Sequence, residues 1–330
     1  MSSGMMAVDC ELRLDFPRLR QDRMDRAKQA LKKSGLGALV CFDQDSIRYI
    51  TSCDIGPWGR DKMMRFCILP RDEDPILFDI GTRVDFQLRP NGAPWLKGRV
   101  KPAISWGRGS VPQEVGSVHK CAAQIKDTLA EYGLEKEPIG FDMMDVLLMK
   151  ALEKIGIQIE DGHTPLLEAR KIKTAEEIEL LNMSAMMVDA AYYEIAKSIR
   201  PGIREVDLVG IAHKSLYSLG SDWVDNINCV SGPRTNPHPH DFTDRVIRPG
   251  DIVFLDIQNV FCGYRTCYYR TFCCGKPNEE QKELYAKCLD WLNQSIEVVK
   301  PGATTADIAS KWPGPEVLGK KTELEVLACQ

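Results

Sequence analysis

The stretch PGDIVFLDIQNVFCGYRTCYYRTFCCG, residues 249–275, decides the fold of the second half of the chain. Its opening Pro-Gly-Asp is typical of a tight turn, and the apolar run at 252–257 reads as a buried strand. Gly263 marks a second turn, after which residues 264–272 have the composition of another strand. The stretch therefore predicts an antiparallel hairpin in which Asp256 interrupts an apolar strand and needs a hydrogen-bond partner.

The first 165 residues or so alternate short apolar runs with amphipathic segments. The apolar runs predict strands and the amphipathic segments, each with one apolar face, predict helices. The predicted helices are 16–34, 118–132 and 143–155, and the predicted strands are 36–42, 65–70, 74–80, 138–142 and 156–162. This alternation indicates an α/β domain with helices packed on a sheet.

A capping box predicts the start of a long helix between the two halves. Thr174 can cap the first turn while Glu177 reaches back to its amide. An apolar stripe then continues over residues 176–198, as expected for an amphipathic helix. We place the domain boundary just before this helix, which gives an N-terminal domain of residues 1–168 and a catalytic domain of residues 169–330.

The second half of the chain contains an internal repeat. Segments that start at Asp189 and Asp290 both read as a helix, then a basic residue with Pro-Gly, then a new helix start. The two Pro-Gly pairs, at 201–202 and 301–302, are 100 residues apart, a period too long for a solenoid. The repeat predicts a domain of two similar αβ halves that face each other, with chance similarity as the alternative.

Composition and charge exclude several classes of protein. The 330 residues carry a net charge of −4 with a pI of about 5.9 and no basic stripe, which argues against nucleic acid as a partner. No run approaches the roughly 18 apolar residues of a membrane helix, and residues 1–10 lack a signal pattern. The 12 cysteines include no C-x-x-C pair. We therefore expect a cytoplasmic protein with reduced thiols.

The order of motifs resembles that of the creatinase, prolidase and aminopeptidase P superfamily, known as the pita-bread enzymes. A Ser-Gly turn, a His, Pro-Gly-Asp, a strand that ends in Asp, Gly-Tyr and Arg-Thr-Phe follow one another over residues 231–272. LLEARKIKTAEEIELL at 166–181 is similar to the linking helix, and LGALVCFDQDSIRYITS at 36–52 to the N-terminal core. The resemblance implies a creatinase-like α/β domain followed by an α+β, pseudo-twofold pita-bread domain. SGPRTNP at 231–237 is similar in particular to the dimethylsulfoniopropionate lyase branch.

The resemblance also implies a dinuclear metal site, and this sequence departs from it. Metal-dependent members bind two divalent ions (Mn, Co, Fe or Zn) through two Asp, one His and two Glu. The first Asp corresponds to Asp256, but the second position, 11 residues on, holds Cys267, which could bind a softer metal. The other three ligands would follow Gln330, so we expect a truncated catalytic domain with a degenerate site and no cofactor in this chain.

The candidate proton carriers are His238 and His240, which flank Pro239 in a polar loop. Creatinase-like members use a His of this loop as general acid and base, which a pKa near neutrality allows. The sequence does not decide between the two, and a loop pair without a role is the alternative. Arg270 is a further catalytic candidate by resemblance, although it could instead neutralise Asp256.

Three residues are candidates for binding the substrate. Arg234 and Asn236 could hold a substrate carboxylate, Arg234 by a bidentate contact, although loop arginines are more often solvated. Tyr264, which follows the Gly263 turn, is the third candidate, and packing within the strand is its alternative role. The partner is therefore expected to be a small molecule or a short peptide.

Three functions remain open on the sequence alone. The first is a hydrolase of the Xaa-Pro aminopeptidase or creatinase type, acting as a homodimer on a small C–N or peptide bond next to a carboxylate. The second is a lyase like the dimethylsulfoniopropionate-cleaving branch. The third is a truncated, non-catalytic paralogue or fragment.

Overall fold

The computed structural model describes residues 14–327. The chain divides into two compact units, one that ends at Glu179 and one that begins at Leu180. The predicted boundary at residue 168 stays a prediction. The expectation about a leader concerns residues 1–10, and the expectation about the chain end concerns residues 328–330. Both segments lie outside the described residues.

The first unit is built on a mixed six-stranded sheet in the order β4-β3-β2-β1-β5-β6. The central pair β1–β2 is antiparallel, as is β2–β3, and the remaining pairs are parallel. The strands are β1 Ala38–Cys41, β2 Phe66–Pro70, β3 Ile76–Asp79, β4 Val100–Pro102, β5 Pro138–Phe141 and β6 Gln158–Asp161. The five predicted strands are all present, so the expected α/β architecture is confirmed.

Seven helices accompany this sheet in the described part of the unit. They are α1 Phe16–Ser34, α2 Gln44–Thr51, α3 Thr82–Leu88, α4 Gly107–Ser110, α5 Ser117–Ala130, α6 Val146–Lys154 and α7 His163–Arg170. Helix α1 starts where the Asp15 carboxylate accepts a hydrogen bond from the Arg18 amide and ends at Gly35 in the left-handed conformation. Its bounds are those that the sequence predicted.

The sheet is covered on both faces, which explains why β1 is buried at every position. Val40 and Phe42 belong to a core on one face, and Leu39 and Cys41 belong to a second core on the other. Each core also contains buried residues of the flanking helices. The alternation of side chains along a strand therefore divides the hydrophobic residues between two layers of helices.

Helix α8, Ala175–Ser198, spans the division between the two units. The Thr174 amide donates to Glu177 Oε2 at 2.7 Å, and the Glu177 amide donates to Thr174 Oγ1 at 3.2 Å. These two bonds confirm the predicted capping box. None of the helices within residues 14–327 combines the length and the apolar character that crossing a membrane requires.

The second unit contains a three-stranded antiparallel sheet in the order β7-β8-β9. The strands are β7 Trp223–Ser231, β8 Ile252–Phe261 and β9 Tyr264–Cys273, and the further helices are α9 Glu205–Ser218, α10 Glu279–Glu297, α11 Thr305–Ala309 and α12 Glu323–Leu327. Strands β8 and β9 form the predicted hairpin, joined by the two residues Cys262 and Gly263.

The internal repeat has a local counterpart in the structure. After each Pro-Gly pair a helix begins with a carboxylate that accepts a backbone amide: Asp207 from Arg204 at 3.0 Å, and Asp307 from Thr304 at 2.7 Å. The two capped helix starts are 100 residues apart, like the Pro-Gly pairs. The twofold relation between the two halves stays a prediction.

Candidate active site

The hairpin register decides which side chains share a face of the sheet. Asp256 lies opposite Tyr269, and Gln258 lies opposite Cys267. Because side chains alternate along a strand, these four residues project from the same side of the sheet. Phe254 lies on the same side, and so does Asn228, which is opposite Asp256 on β7. We call this side of the sheet the site face.

The opposite face of the sheet is packed. Leu255, Ile257 and Asn259 are fully buried there. The Tyr192 hydroxyl on α8 lies 3.0 Å from the Leu255 carbonyl oxygen and 2.8 Å from that of Tyr268. Helix α8 thus holds the sheet from behind and leaves the site face to the loop that carries the two histidines.

Asp256 is almost completely buried, with 1% of its surface exposed. Its Oδ1 accepts the Cys267 thiol at 3.1 Å, and its Oδ2 accepts the amide groups of Asn228 at 3.3 Å and Gln258 at 3.5 Å. A carboxylate inside a sheet is costly unless such donors satisfy it. The sequence predicted that Asp256 needs a hydrogen-bond partner, and the structure provides three neutral donors.

Cys267 acts in this arrangement as a donor. Burial raises the pKa of the Cys267 thiol to about 11, with further contributions from the hydrogen bond to Asp256 and from its negative charge. The thiol therefore keeps its proton at neutral pH. Metal ligation requires the thiolate, which this environment disfavours.

His238 lies over the aromatic side chains of the site face. Its ring centroid is 4.2 Å from that of His240, 5.0 Å from that of Phe254 and 6.4 Å from that of Tyr269, with edge-to-face geometry toward the last two. Both ring nitrogens of His238 are buried and have no hydrogen-bond partner among residues 14–327. The imidazole is thus held by ring contacts while its two nitrogens stay available.

The charge state of His238 follows from these surroundings. Burial lowers the pKa of the His238 imidazole, and the neighbouring His240 lowers it further, while the charges of Asp256 and Asp241 act in the opposite direction. The net shift is downward, so the imidazole is neutral at pH 7 and can accept a proton. A carboxylate that favours the protonated form lies on the same face.

Arg234 is used to hold the histidine loop together. The short 3-10 helix Gly232–Thr235 places its guanidinium 2.7 Å from Thr243 Oγ1 and 3.4 Å from Glu205 Oε2, and it also contacts Asp241. Glu205 has no exposed side-chain surface, so its charge needs this partner. The arrangement gives Arg234 internal partners before any substrate binds.

The other two substrate-binding candidates lie next to the histidine loop and at the hairpin turn. Asn236 is exposed and directly follows the 3-10 helix, with an extended backbone. Tyr264 lies opposite Phe261 at the hairpin turn, five residues along β9 from Tyr269. Five strand residues span about 17 Å, so Tyr264 is remote from the histidine loop along the strand.

Arg270 projects from the opposite side of the sheet. It pairs with Leu255 in the register, and its guanidinium lies 3.5 Å from Asp189 and 4.7 Å from the centroid of the Tyr268 ring. The structure therefore pairs Arg270 with Asp189 and does not use it to neutralise Asp256. A catalytic role for Arg270 stays a prediction from resemblance.

Four residues of the site face were missed by the sequence analysis: Asn228, Phe254, Gln258 and Tyr269. For the three hairpin residues, the two-residue turn could have revealed the face, because it fixes the strand register and hence the face of the sheet from which each side chain projects. Asn228 lacks such a local signal because its position depends on the pairing of β7 with β8. Recognising the group therefore required the three-dimensional sheet.

The donors around Asp256 do not fit a dinuclear metal site. No group of three or more His, Cys, Asp or Glu side chains within the described part of the chain is arranged to hold a metal ion. Asp256 accepts hydrogen bonds at both oxygens, and Cys267 offers it a protonated thiol. We therefore derive no reaction step through a metal ion.

Part of the chain is similar to a known protein family. Residues 179–314 match the model of metallopeptidase family M24, whose members generally use divalent metals. An uncharacterized hydrolase/peptidase of Sinorhizobium fredii, y4tL, is 32% identical over 148 residues, which are 43% of this chain and 38% of that protein. The chain thus spans less than half of the length of this relative.

Two longer matches cover most of the chain. The dimethylsulfoniopropionate lyase DddP of Roseovarius nubinhibens is 23% identical over 90% of this chain and 68% of its own length. The crystal structure of prolidase from Thermococcus sibiricus superposes with a TM-score of 0.71 and 20% identity, over 88% of this chain and 76% of that one. The latter likeness confirms the pita-bread fold.

Proposed function

We propose, on the premise that this chain belongs to the pita-bread superfamily of creatinase, prolidase and aminopeptidase P, that it hydrolyses a small C–N or peptide bond next to a carboxylate. The observation that carries the proposal is the neutral His238 imidazole, whose buried nitrogens have no partner within residues 14–327, on the same face as Asp256. The substrate is a small molecule or a short peptide, as for the peptidases of the family.

In the proposed reaction His238 moves the proton. The neutral imidazole accepts a proton from the attacking water and then donates it to the leaving nitrogen. Asp256 stabilises the imidazolium that forms between these steps, because its negative charge favours the protonated ring. Asn236, exposed beside the loop, is our candidate for the substrate carboxylate, since Arg234 already has three internal partners.

Single alanine substitutions test this assignment. We expect His238→Ala to lower kcat/KM for Xaa-Pro dipeptides or N-substituted glycines by about 100-fold or more, as for loss of a general acid and base. His240→Ala should cost less than about 10-fold, since its ring supports that of His238. His213→Ala, in helix α9 against Tyr217, is the matched control and should leave turnover unchanged.

The pH dependence provides a second readout of the same role. Because the pKa of His238 is lowered, the neutral base is present at pH 7 and turnover should fall only below the ordinary range of a histidine. Full turnover by a folded His238→Ala variant would overturn the proposal.

A lyase is the second candidate function. Two dimethylsulfoniopropionate lyases match over 90% and 96% of this chain, much further along it than the peptidase relative y4tL does. Incubation with dimethylsulfoniopropionate and detection of dimethyl sulfide by gas chromatography separates the two functions. A folded protein that turns over neither class of substrate would instead support a non-catalytic paralogue.

The cellular location and the oligomeric state of the protein are also part of the proposal. All ten cysteines within residues 14–327 are free thiols, which supports a reducing compartment, and we place the protein in the cytoplasm. We also propose a homodimer, in line with the superfamily that the sequence resembles. Size-exclusion chromatography with light scattering would measure that mass directly.

A further inference from the structure

Residues 235–242, which contain the histidine loop, are closed at both ends by one buried carboxylate. Oε2 of Glu205 accepts hydrogen bonds from the Thr243 backbone amide at 3.0 Å, the Thr243 hydroxyl at 2.8 Å and the Arg234 guanidinium at 3.4 Å. Arg234 also donates to Thr243 Oγ1 at 2.7 Å, directly between the two ends. The residues on either side of the segment thus meet at a single oxygen atom, and we call this arrangement the clasp.

The clasp is attached to two regular elements. Glu205 is the first residue of helix α9 and has no exposed side-chain surface, and its Oε1 accepts the hydroxyl of Ser231, the last residue of strand β7, at 2.7 Å. The Glu205 and Val206 amides donate to the carbonyl oxygens of Arg245 and Thr243 at 3.1 and 3.0 Å. A helix start leaves such amides without an intrahelical partner, so the chain that follows the segment also caps the helix.

His238 lies near the middle of the clasped segment. Ring contacts with His240, Phe254 and Tyr269 hold its imidazole, whose buried nitrogens have no hydrogen-bond partner in the described part of the chain. The place of the ring over the site face therefore depends on the path of the segment backbone. Joining the ends of a short segment removes much of its conformational freedom.

We propose that Glu205 is a positioning residue that, through the clasp, holds the His238 imidazole over the site face. It acts on the backbone on both sides of His238, through Arg234 before it and Thr243 after it. Hydrogen bonds to a carboxylate are stronger than those to a neutral acceptor, and burial strengthens them further. The role rests on the proposed function, because His238 is the proton carrier of that reaction, but the position of the ring can be measured without turnover.

Asp207 provides a matched control for Glu205. It lies in the same first turn of helix α9, where its carboxylate accepts the Arg204 amide at 3.0 Å and pairs with the Arg204 guanidinium at 2.7 Å. Glu205→Gln and Asp207→Asn therefore remove the same charge from neighbouring positions of one helix. They differ in whether the carboxylate belongs to the clasp.

The first test measures how often the clasped segment opens. Diethyl pyrocarbonate acylates histidine nitrogens that reach solvent, and mass spectrometry of the peptides gives the rate at each histidine. Glu205→Gln keeps the shape of the side chain and removes its charge, so we expect the rate at His238 to rise more than about fivefold relative to the exposed His163. Asp207→Asn should leave this ratio within about twofold of wild type. Equal ratios in the two variants would overturn the proposal.

Thr243 provides variants that leave Glu205 in place and separate positioning from general stability. Thr243→Val removes the hydroxyl from the clasp and Thr243→Ser keeps it, while the backbone amide bond to Glu205 is retained in both. Where hydrolysis is measurable, we expect Thr243→Val to lower kcat about tenfold or more and Thr243→Ser to stay within about twofold, because a displaced base transfers protons poorly. Urea unfolding checks that each variant is folded, and equal kcat values in the two folded variants would contradict the role.

The two proposals fail separately. A wild-type protein without turnover, whose His238 is acylated faster in Glu205→Gln and in Thr243→Val, would reject the proposed function and leave the clasp standing. Turnover that is lost in His238→Ala, while Glu205→Gln and Thr243→Val keep the wild-type kcat and acylation rate, would reject the role of the clasp alone.

Discussion

At the scale of single residues, Asp256 shows how a carboxylate is kept in a buried strand. Three neutral side chains, those of Asn228, Gln258 and Cys267, donate to its two oxygens. A thiol in this position satisfies the charge without adding another. The surroundings of Asp256 are thus those of a hydrogen-bonded carboxylate.

A carboxylate at position 267 should therefore destabilise the protein. In Cys267→Asp a second carboxylate replaces a sulfur that lies 3.1 Å from Asp256 Oδ1. Two like charges in contact cannot both stay ionised without cost, so we expect a loss of about 1–3 kcal/mol in urea unfolding at pH 7.5. The loss should shrink near pH 5, where one carboxyl takes up a proton.

Cys288→Asp is the control for this prediction, because Cys288 is exposed on helix α10. It should cost less than about 0.5 kcal/mol at either pH. Equal effects of the two substitutions would show that the environment of Asp256 does not disfavour a second charge.

Asp142 supplies a second prediction at this scale. Burial, followed by the charge of Asp43, raises the pKa of the Asp142 carboxyl to about 7, although the Phe42 amide donates to it at 2.8 Å. A raised carboxyl pKa means that folding favours the neutral form. Stability from this group is complete below pH 4 and is lost as the pH rises toward 7.

Asp142→Asn removes this penalty while keeping an oxygen acceptor for the Phe42 amide. We expect the stability of the variant relative to wild type to increase by about 1–3 kcal/mol when the pH is raised from 5 to 8.5. Urea unfolding at the two pH values measures this change. Asp72→Asn, at a carboxylate whose side chain is 80% exposed, is the control and should show no such trend. A difference from wild type that stays constant over this range would contradict the raised pKa.

At the scale of elements, the β8–β9 hairpin fixes most of the candidate site. Its two-residue turn pairs Phe261 with Tyr264, and this register places Cys267 and Tyr269 on the side of Asp256. The same count places Arg270 on the other side. The length of a hairpin turn fixes which residues of the two strands share a face of the sheet. The sequence alone could therefore have shown that Arg270 and Asp256 lie on opposite faces.

Other parts of the site could not be derived from local patterns. The buried Glu205 starts helix α9, yet it accepts hydrogen bonds from Ser231 and Thr243, which lie 26 and 38 residues away in sequence. Such contacts depend on how the loop closes over the helix. Helix bounds, strands and the hairpin follow from periodicity and turn residues, whereas the partners of Glu205 and of Arg234 follow only from packing.

The turn itself can be tested. Cys262 and Gly263 both have positive φ, 50° and 85°, as expected for a two-residue hairpin turn that matches the twist of its strands. Gly263→Ala forces a side chain into the left-handed region, and we expect a loss of about 1–2 kcal/mol in urea unfolding. Gly56→Ala is the control, because Gly56 has a φ of −60° and open space around an added Cβ.

Gly56→Ala should stay within about 0.5 kcal/mol of wild type. Equal effects at the two glycines would mean that this turn does not depend on its backbone conformation.

At the scale of the whole molecule, a run of large apolar side chains stays exposed on helix α10. Between 43% and 58% of the surface of each is accessible, and they are Leu284, Tyr285, Leu289, Leu292 and Ile296. Contiguous apolar surface of this kind mostly marks an interaction site. We therefore expect this surface to take part in the homodimer proposed above.

Light scattering tests this expectation on the purified chain. We expect a mass above that of the 37.1 kDa monomer at micromolar concentration, and a return toward the monomer in Leu289→Lys/Leu292→Lys. Lys287→Gln on the same helix serves as the control and should leave the mass unchanged. A wild-type monomer with a high melting temperature that does not bind a hydrophobic dye would contradict the expectation.

We propose that the site works through His238 and a hydrogen-bonded Asp256 without a resident metal ion. The deciding experiment measures turnover by protein treated with EDTA and 1,10-phenanthroline, with its metal content determined by mass spectrometry. We expect undiminished turnover at less than about 0.1 metal ion per chain and loss of turnover in His238→Ala. Turnover that disappears on chelation and returns with Mn²⁺, Co²⁺, Fe²⁺ or Zn²⁺ would contradict it.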